Sequence, residues 1–223
     1  MTRLPVDLLP ERAAHAPVLR TLFVADLHLG KAAVFRARGI PVPQGTTSET
    51  LGRLSAALAR TGAQRLVVLG DFLHARESHA GPTLQALSRW RQQHRELHCT
   101  LVPGNHDRHA GTVGDEFGFE VEPGHWQADG LIGCHEPPSG SEDDAPGGAS
   151  PLILAGHLHP VIVLRNRHER LRLPCFWLRG RVLTLPAFGA FTGGWEVDPR
   201  TGRAWAVTPT DVVAVPRAAT AAR

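Results

Sequence analysis

Five short motifs in this chain carry side chains that could bind metal ions. As candidate metal ligands they supply two carboxylates, one amide and four imidazoles, and a further imidazole lies beside the amide. They are, in order, Asp26-Leu27-His28, Gly70-Asp71, Gly104-Asn105-His106-Asp107, Gly133-Cys134-His135 and Gly156-His157-Leu158-His159. A buried polar group needs a partner, and a packed core has no need of such a set. We therefore predict that seven of these side chains bind metal ions.

Three buried strands must position the first three motifs. Apolar runs at residues 22–25, 66–69 and 100–102 each end just before a motif. Short apolar runs bounded by turn residues are typical of buried strands. The side chains that follow them are therefore expected at strand ends.

Two helices are predicted to connect these strands. Thr46 and Glu49 have the spacing of a capping box, which predicts a helix that begins there and ends at Gly62. Pro82 suits the first residue of a second helix. The resulting order, β-α-β-α-β, implies a parallel sheet with helical crossovers. Because ligands bind at the carboxyl ends of such strands, the motif side chains should converge on one rim.

The second half of the chain is predicted to form a mostly antiparallel sheet that packs against the first as a sandwich, with helices outside. Its short apolar runs are separated by turn residues, and none has strong helical periodicity. The runs lie at residues 131–132, 152–154, 161–164, 175–178, 182–185, 195–197 and 204–207. Residues 137–151, rich in Gly, Ser, Pro and acidic side chains, are predicted to form a surface loop. We expect one domain over residues 1–216 and a disordered tail at 217–223.

The composition is typical of a globular protein and excludes several other classes. The chain has 223 residues, 42% of them apolar, which is enough for a domain with a hydrophobic core. The net charge of +3 excludes a polycation, and three scattered cysteines argue against a disulfide framework. The sequence has no apolar signal core at its start and no apolar stretch of about 18 residues. We therefore expect a cytoplasmic protein that does not enter membranes.

The order and spacing of the motifs resemble the calcineurin-like metallophosphoesterase superfamily. Its pattern is D-x-H, G-D, G-N-H-D/E, H and G-H-x-H, and all five blocks are present between residues 22 and 160. The resemblance implies an α/β fold, a four-layer α/β/β/α sandwich with mixed sheets. It also implies a binuclear-metal enzyme that hydrolyses phosphoric esters.

The superfamily pattern gives each motif residue a role. It assigns the first ion to Asp26, His28 and His159, the second to Asn105, His135 and His157, and both to Asp71. By the same resemblance, His106 stabilises the phosphoryl group and protonates the leaving oxygen, and Asp107 orients His106. Such ligands favour Mn, and they also suit Fe or Zn. Two paired ions would activate a bridging water for attack on phosphorus.

Further segments resemble one branch of the superfamily, the ligase-associated DNA-damage-response endonucleases. They are residues 25–31 (ADLHLGK), 35–36 (FR), 39–43 (GIPVP), 173–178 (LPCFWL) and 185–194 (LPAFGAFTGG). This branch implies a bacterial phosphodiesterase that cuts DNA during repair, with an ATP-dependent DNA ligase and a helicase as partners. With these segments, the similarity covers almost the whole chain.

Several side chains near the motifs are candidates for substrate contact. Lys31, Arg36 and Arg38 could bind DNA phosphates or could form an exposed basic loop. Phe188 and Phe191 could stack a base or pack in the core. His74 and His79 follow Asp71 closely and could touch substrate, although surface positions are the simpler interpretation.

Three other functions remain open from the sequence. The same metal centre could act on a small substrate such as a nucleotide, a phosphomonoester or a nucleotide-sugar. The chain could also be a non-catalytic repair scaffold, or a factor that mainly docks a ligase or helicase. All seven predicted ligands and His106 are present, which favours an enzyme over a scaffold.

Overall fold

The computed structural model describes residues 4–42, 45–110, 117–140, 150–165 and 169–216. Glu142, Asp143 and Asp144 of the predicted acidic loop and the predicted tail at 217–223 lie outside these ranges. In the described ranges, no helix is long and apolar enough to cross a membrane.

The first sheet contains six strands in the described part of the chain, arranged in sequence order. They are β1 (Asp7–Leu8), β2 (Ala14–Ala16), β3 (Thr21–Ala25), β4 (Arg65–Leu69), β5 (His98–Val102) and β6 (Phe119–Val121). Strands β1, β2 and β3 pair antiparallel, whereas β3, β4, β5 and β6 pair parallel. The predicted parallel β-α-β-α-β unit is therefore confirmed, with an antiparallel extension at one side.

Helices connect the parallel strands. Within the described ranges they are α1 (Lys31–Ala37), α2 (Thr46–Thr61), α3 (Gly81–Gln93) and α4 (Asn105–Ala110), with a short 3₁₀ helix at Arg76–His79. The capping-box prediction is wrong, because Gly45 occupies the N-cap of α2 and no side chain caps it. Thr46 is already helical, so its hydroxyl does not cap the first turn. The short helices α1 and α4 were not predicted.

Alternate residues of the first sheet face opposite layers, as the two-residue period of a strand requires. Leu22 and Val24 of β3 join the apolar cluster that contains Leu54 of α2 and Leu87 of α3. The intervening Phe23 belongs to the cluster shared with the second sheet. The first sheet is thus covered by helices on one face and by the second sheet on the other.

The second sheet is mixed and comes from the second half of the chain. Its described strands are β7 (His125–Ala128), β8 (Leu131–Cys134), β9 (Leu152–Ala155), β10 (Pro160–Arg165), β11 (Arg170–Arg179), β12 (Val182–Thr184), β13 (Trp195–Glu196), β14 (Arg203–Val207) and β15 (Val212–Val215). The parallel pairs are β8 with β9, β9 with β12 and β10 with β13, and the other pairs are antiparallel. Leu154, Phe176 and Leu183 pack against Phe23 and Leu69 of the first sheet. The expected sandwich of two mixed sheets is confirmed, and within the described ranges no α-helix follows α4.

Candidate metal centre

The predicted ligands come together at the carboxyl ends of strands from both sheets. Asp26, Asp71 and Asn105 directly follow or come shortly after β3, β4 and β5, while His135 and His157 follow β8 and β9. The strands are parallel at this edge, so their last residues meet there. The rim that the sequence predicts therefore exists.

One group of four side chains has the composition expected for a cation site. The potential ligand atoms of Asp26, His28, Asp71 and His159 all lie within 4.8 Å of one another. Nε2 of His28 is 3.8 Å from Oδ2 of Asp71, and Nε2 of His159 is 3.4 Å from Oδ1 of Asp26. Nε2 of His28 and Nε2 of His159 are both buried, and neither has a hydrogen-bond partner in the described structure. Buried polar atoms seldom lack a partner, and a metal ion between them would satisfy both.

A second group adjoins the first through Asp71. Nε2 of His135 is 2.9 Å from Oδ1 of Asn105, 3.2 Å from Nδ1 of His157 and 3.6 Å from Oδ1 of Asp71. Asp71 thus offers one oxygen to each group, as expected for a carboxylate that bridges two ions. The exposed Glu136 has a potential ligand atom within 4.8 Å of those of His135 and His157. The sequence analysis did not identify Glu136 as a candidate ligand.

The backbone of the site has unusual torsion angles. Five of the predicted ligands have positive φ, a region that residues other than glycine seldom adopt. These angles are 55° at Asp26, 45° at His28, 48° at Asp71, 69° at His157 and 50° at His159. Such residues cluster at functional sites, where the surrounding fold maintains the strain. Five of the seven predicted ligands therefore share this strained backbone conformation.

Two glycines make room for the ligand side chains. A Cβ atom on Gly70 would overlap the His135 ring, and one on Gly104 would overlap Oδ1 of Asp71. Gly70 also has a φ of 74°. The glycines of the G-D and G-N-H-D motifs are thus required by close approach of the neighbouring ligands.

His106 is positioned by backbone contacts. Its Nδ1 is 2.9 Å from the carbonyl oxygen of His74, which can only accept, so Nδ1 carries the proton. Its Nε2 lies 4.0 Å from Oδ2 of Asp71, and its side chain is 39% exposed. The backbone N–H of His106 also donates to Oδ1 of Asp71 at 2.9 Å. The imidazole therefore presents Nε2 at the edge of the metal centre.

In the structure the Asp107 carboxylate contacts backbone N–H groups rather than the His106 ring. Its Oδ1 accepts the backbone N–H groups of Phe72 at 2.9 Å and Leu73 at 3.1 Å, and its Oδ2 accepts that of Gly104 at 2.9 Å. Burial raises the pKa of this carboxyl, and the backbone N–H groups of Gly104, Leu73 and Phe72 partly offset the effect. Asp107 holds the loop after β4 against the loop after β5, whereas the His74 carbonyl sets the His106 ring.

His74 contacts two functional imidazoles. Its ring stacks on that of His106 with centroids 5.0 Å apart, and its Nδ1 is 3.4 Å from Nδ1 of His28. These three histidines form a further group of potential metal ligands. His79, in contrast, places Nε2 3.0 Å from the carbonyl oxygen of Ala110, a structural contact.

The electrostatics of the site keep His28 neutral. Burial lowers its pKa far below the ordinary value, and the neighbouring charges of Lys31, His159, His106 and His74 act in the same direction. A neutral imidazole has the free lone pair that metal coordination requires. Burial also lowers the pKa of Lys31, whereas attraction to Asp71 and Asp26 opposes this.

The residues that the sequence suggests for substrate contact differ in their exposure. Lys31 is half-buried at the start of α1, close enough to interact electrostatically with Asp26 and Asp71. Arg36 and Arg38 are exposed near the end of α1. Phe188 is fully buried in the core, so it does not stack a base, whereas Phe191 is 45% exposed.

Comparison with known proteins agrees with this geometry. A family model, calcineurin-like phosphoesterase, matches residues 19–174. The crystal structure of the Pseudomonas putida nuclease MPE is 41% identical, covers 94% of each chain and superposes with a TM-score of 0.79. This similarity fits the endonuclease branch that the sequence resembles.

A more distant structure adds nothing about activity. The phosphoesterase Yfce from E. coli is 14% identical over 86% of this chain and 96% of its own, with a TM-score of 0.42. No curated protein matches the sequence. The match of the family model across most of the chain, over residues that include both groups of ligands, shows that the protein belongs to the calcineurin-like phosphoesterase family.

Proposed function

We propose that this protein hydrolyses phosphodiester bonds in DNA with two divalent metal ions, and that it acts as an endonuclease in DNA repair. The observation that carries the proposal is the cluster of two carboxylates and two imidazoles in which Nε2 of His28 and Nε2 of His159 are buried without a hydrogen-bond partner in the described structure. The similarity to a nuclease over 94% of both chains supports a nucleic acid as the substrate, and the resemblance to the DNA-damage-response branch leads us to propose DNA.

We propose Mn²⁺ as the metal. Asp26, His28, Asp71 and His159 would hold one ion, and Asp71, Asn105, His135 and His157 the other. Carboxylate, amide and imidazole donors without thiolate suit Mn or Fe, and Zn is also compatible. When bound, two ions activate a water molecule and neutralise the charge on the phosphoryl oxygens.

The chain itself supplies the remaining chemistry. Nε2 of His106 lies at the edge of the centre on a side chain that is 39% exposed. When both ring nitrogens are protonated, Nε2 can donate its proton to the leaving oxygen of the cleaved strand, and the ring returns to the neutral form with Nδ1 protonated. The His74 carbonyl fixes the ring so that Nε2 points towards the reacting group. Lys31, beside Asp26 and Asp71, is positioned to bind a phosphate oxygen of the substrate.

Nicking of supercoiled plasmid by the Mn²⁺-loaded protein tests the proposal. We expect the wild type to nick the plasmid and Asp71→Asn to lose at least about 100-fold in rate, because the bridging charge contributes several kcal/mol. Parallel reactions with Fe²⁺ and Zn²⁺ test the preference for Mn²⁺. Hydrolysis of bis(p-nitrophenyl) phosphate without nicking would contradict DNA as the substrate and favour a small phosphodiester.

The repair role has its own test. We propose that a DNA ligase and a helicase act with this nuclease, since the branch it resembles implies both. Affinity purification of the full chain from its host should recover these two enzymes after nuclease treatment, which removes contacts bridged by DNA. Recovery of neither enzyme would contradict this part of the proposal and leave the nuclease activity unaffected.

A further inference from the structure

A basic pocket lies beside the candidate metal centre, and His159 is the one predicted ligand among its lining residues. The cavity has a volume of about 330 Å³ and borders His159. Its wall includes three arginines that are distant in sequence, Arg12, Arg53 and Arg172, and its rim includes Phe191. None of these arginines belongs to the motifs, and sequence analysis identified none of them.

The guanidinium groups are fixed by backbone carbonyls. Arg12 donates to the carbonyl of Ala187 at 3.4 Å, Arg53 donates to that of Phe188, and Arg172 donates to that of Gly194 at 2.7 Å. In the described structure, these carbonyls are the only hydrogen-bond acceptors of the three side chains. All three acceptors lie in one segment, residues 187–194, which bends around the pocket. The arrangement holds three cations beside the site and leaves most of their N–H groups free.

Arg12 and Arg53 carry positive charge at a half-buried position. Burial lowers the pKa of Arg12, and it lowers the pKa of Arg53 to about 10 with a further contribution from the charge of Arg12. Attraction to the exposed Glu49 opposes this only in part. Two neighbouring cations removed from water are stabilised by an anion that bridges them, and guanidinium groups match the oxygens of a phosphate.

Phe191 adds an aromatic surface at the rim. Its side chain is 45% exposed and its φ is 56°, a strained conformation for a bulky residue. An exposed ring next to a cationic pocket is the usual arrangement for an unpaired base and its phosphate.

From this geometry we propose that the pocket formed by Arg12, Arg53 and Arg172 binds a backbone phosphate of the DNA strand adjacent to the phosphodiester that is cut. Phe191 stacks on the neighbouring base. This inference rests on the proposed function, because it assigns the pocket to the strand that the metal centre cleaves. By this inference, the pocket determines where the DNA strand lies relative to the metal centre. It takes no part in the chemistry at Asp71 and His106.

Equilibrium binding tests the pocket without cleavage. The probe is a fluorescein-labelled oligodeoxynucleotide with phosphorothioate linkages, which keep the backbone charge and resist hydrolysis. Fluorescence anisotropy with the Mn²⁺-loaded protein gives Kd at several salt concentrations. We expect Arg12→Gln/Arg53→Gln to raise Kd at least about tenfold and to reduce the slope of log K against log salt by about 0.7 for each lost phosphate contact.

Matched variants separate a binding role from a structural one. Arg89→Gln/Arg95→Gln removes the same charge at two exposed positions and should leave Kd and slope within about twofold of the wild type. Arg12→Lys/Arg53→Lys keeps the charge and should retain the salt slope. Phe191→Ala should raise Kd about fivefold or more without changing the slope, because it removes stacking and no charge.

The outcomes are distinct. If Arg12→Gln/Arg53→Gln binds like the Arg89→Gln/Arg95→Gln control, or if the wild type does not bind the oligonucleotide, the inference is wrong. Should the double variant fail to fold, the exposed Arg172→Gln replaces it, with an expected rise in Kd of about threefold. A wild type that binds the strand but cuts neither plasmid nor an unmodified oligonucleotide of the same sequence would overturn the proposed function alone.

Discussion

The backbone N–H of His157 donates to both carboxylate oxygens of Asp26, at 3.3 and 3.0 Å. Asp26 follows β3 of the first sheet, and His157 follows β9 of the second, 131 positions later. A carboxylate has about four lone-pair sites, so this contact leaves others for a metal ion. One hydrogen-bonded pair thus aligns the two halves of the candidate centre.

Replacement of His106 should separate proton transfer from metal binding. We expect His106→Asn to lower kcat on DNA by about 10²–10⁴, because the leaving oxygen loses its proton donor. The loss on bis(p-nitrophenyl) phosphate should be much smaller, since nitrophenolate leaves without a proton. Metal content, measured by elemental analysis, should stay at the wild-type value. An equal loss on both substrates would contradict the role as an acid.

The close approach at Gly104 can be tested with a matched glycine. Gly104→Ala places a Cβ against Oδ1 of Asp71 and should lower activity at least about tenfold, because small displacements of catalytic groups are costly. Gly52 in α2 has open space around its Cα, and Gly52→Ala should instead raise the free energy of unfolding by about 0.5–1 kcal/mol. Activity assays and urea denaturation of the two variants give the comparison. Full activity of Gly104→Ala would show that Asp71 can move without consequence.

Asp107 should contribute to stability more than to chemistry. Asp107→Ala leaves three backbone N–H groups without their acceptor and should cost at least about 2 kcal/mol of unfolding free energy. Asp107→Asn keeps one carbonyl oxygen as an acceptor and should cost less. Urea denaturation measures both. A loss of kcat in Asp107→Asn as large as that in His106→Asn would instead restore the direct orienting role.

One histidine far from the site should make stability depend on pH. Burial and the nearby charge of Arg91 lower the pKa of His94 from 6.5, and its Nε2 lies 2.8 Å from Oγ of Ser55. The unfolded chain therefore binds more protons here than the folded one, so stability is full above pH 6.5 and falls as pH drops below it. His94→Gln should reduce this fall in urea denaturation between pH 7 and 5. Ser55→Ala, which keeps the titrating ring, should retain it, and identical pH profiles for His94→Gln and the wild type would contradict the assignment.

The rim of ligands could be predicted because it follows from strand polarity. Parallel strands end at one edge, so Asp26, Asp71 and Asn105 had to meet once the three apolar runs were identified. The partners of Asp107 could not be predicted in this way, because its acceptor contacts involve backbone N–H groups of a loop 35 residues earlier. The orientation of His106 depends likewise on a carbonyl, which no side-chain pattern reveals.

Other features escaped prediction for different physical reasons. Helix α1 has seven residues and no side-chain cap, so its sequence lacks the signals that mark longer helices. Arg12, Arg53 and Arg172 lie on three separate segments that only the packed fold brings together. The N-cap of α2 is Gly45, with a left-handed φ of 88° and no capping side chain, whereas the capping-box pattern had placed Thr46 there.

The candidate metal ligands come from two sheets, so a bound ion would couple the motion of one sheet to that of the other. His28 and Asp71 come from the first sheet, whereas His135 and His159 come from the second. An ion coordinated by both would act as a non-covalent cross-link across the sandwich. Release of such an ion would require the two sheets to separate at this edge, and local opening of the fold would then limit the rate of metal exchange.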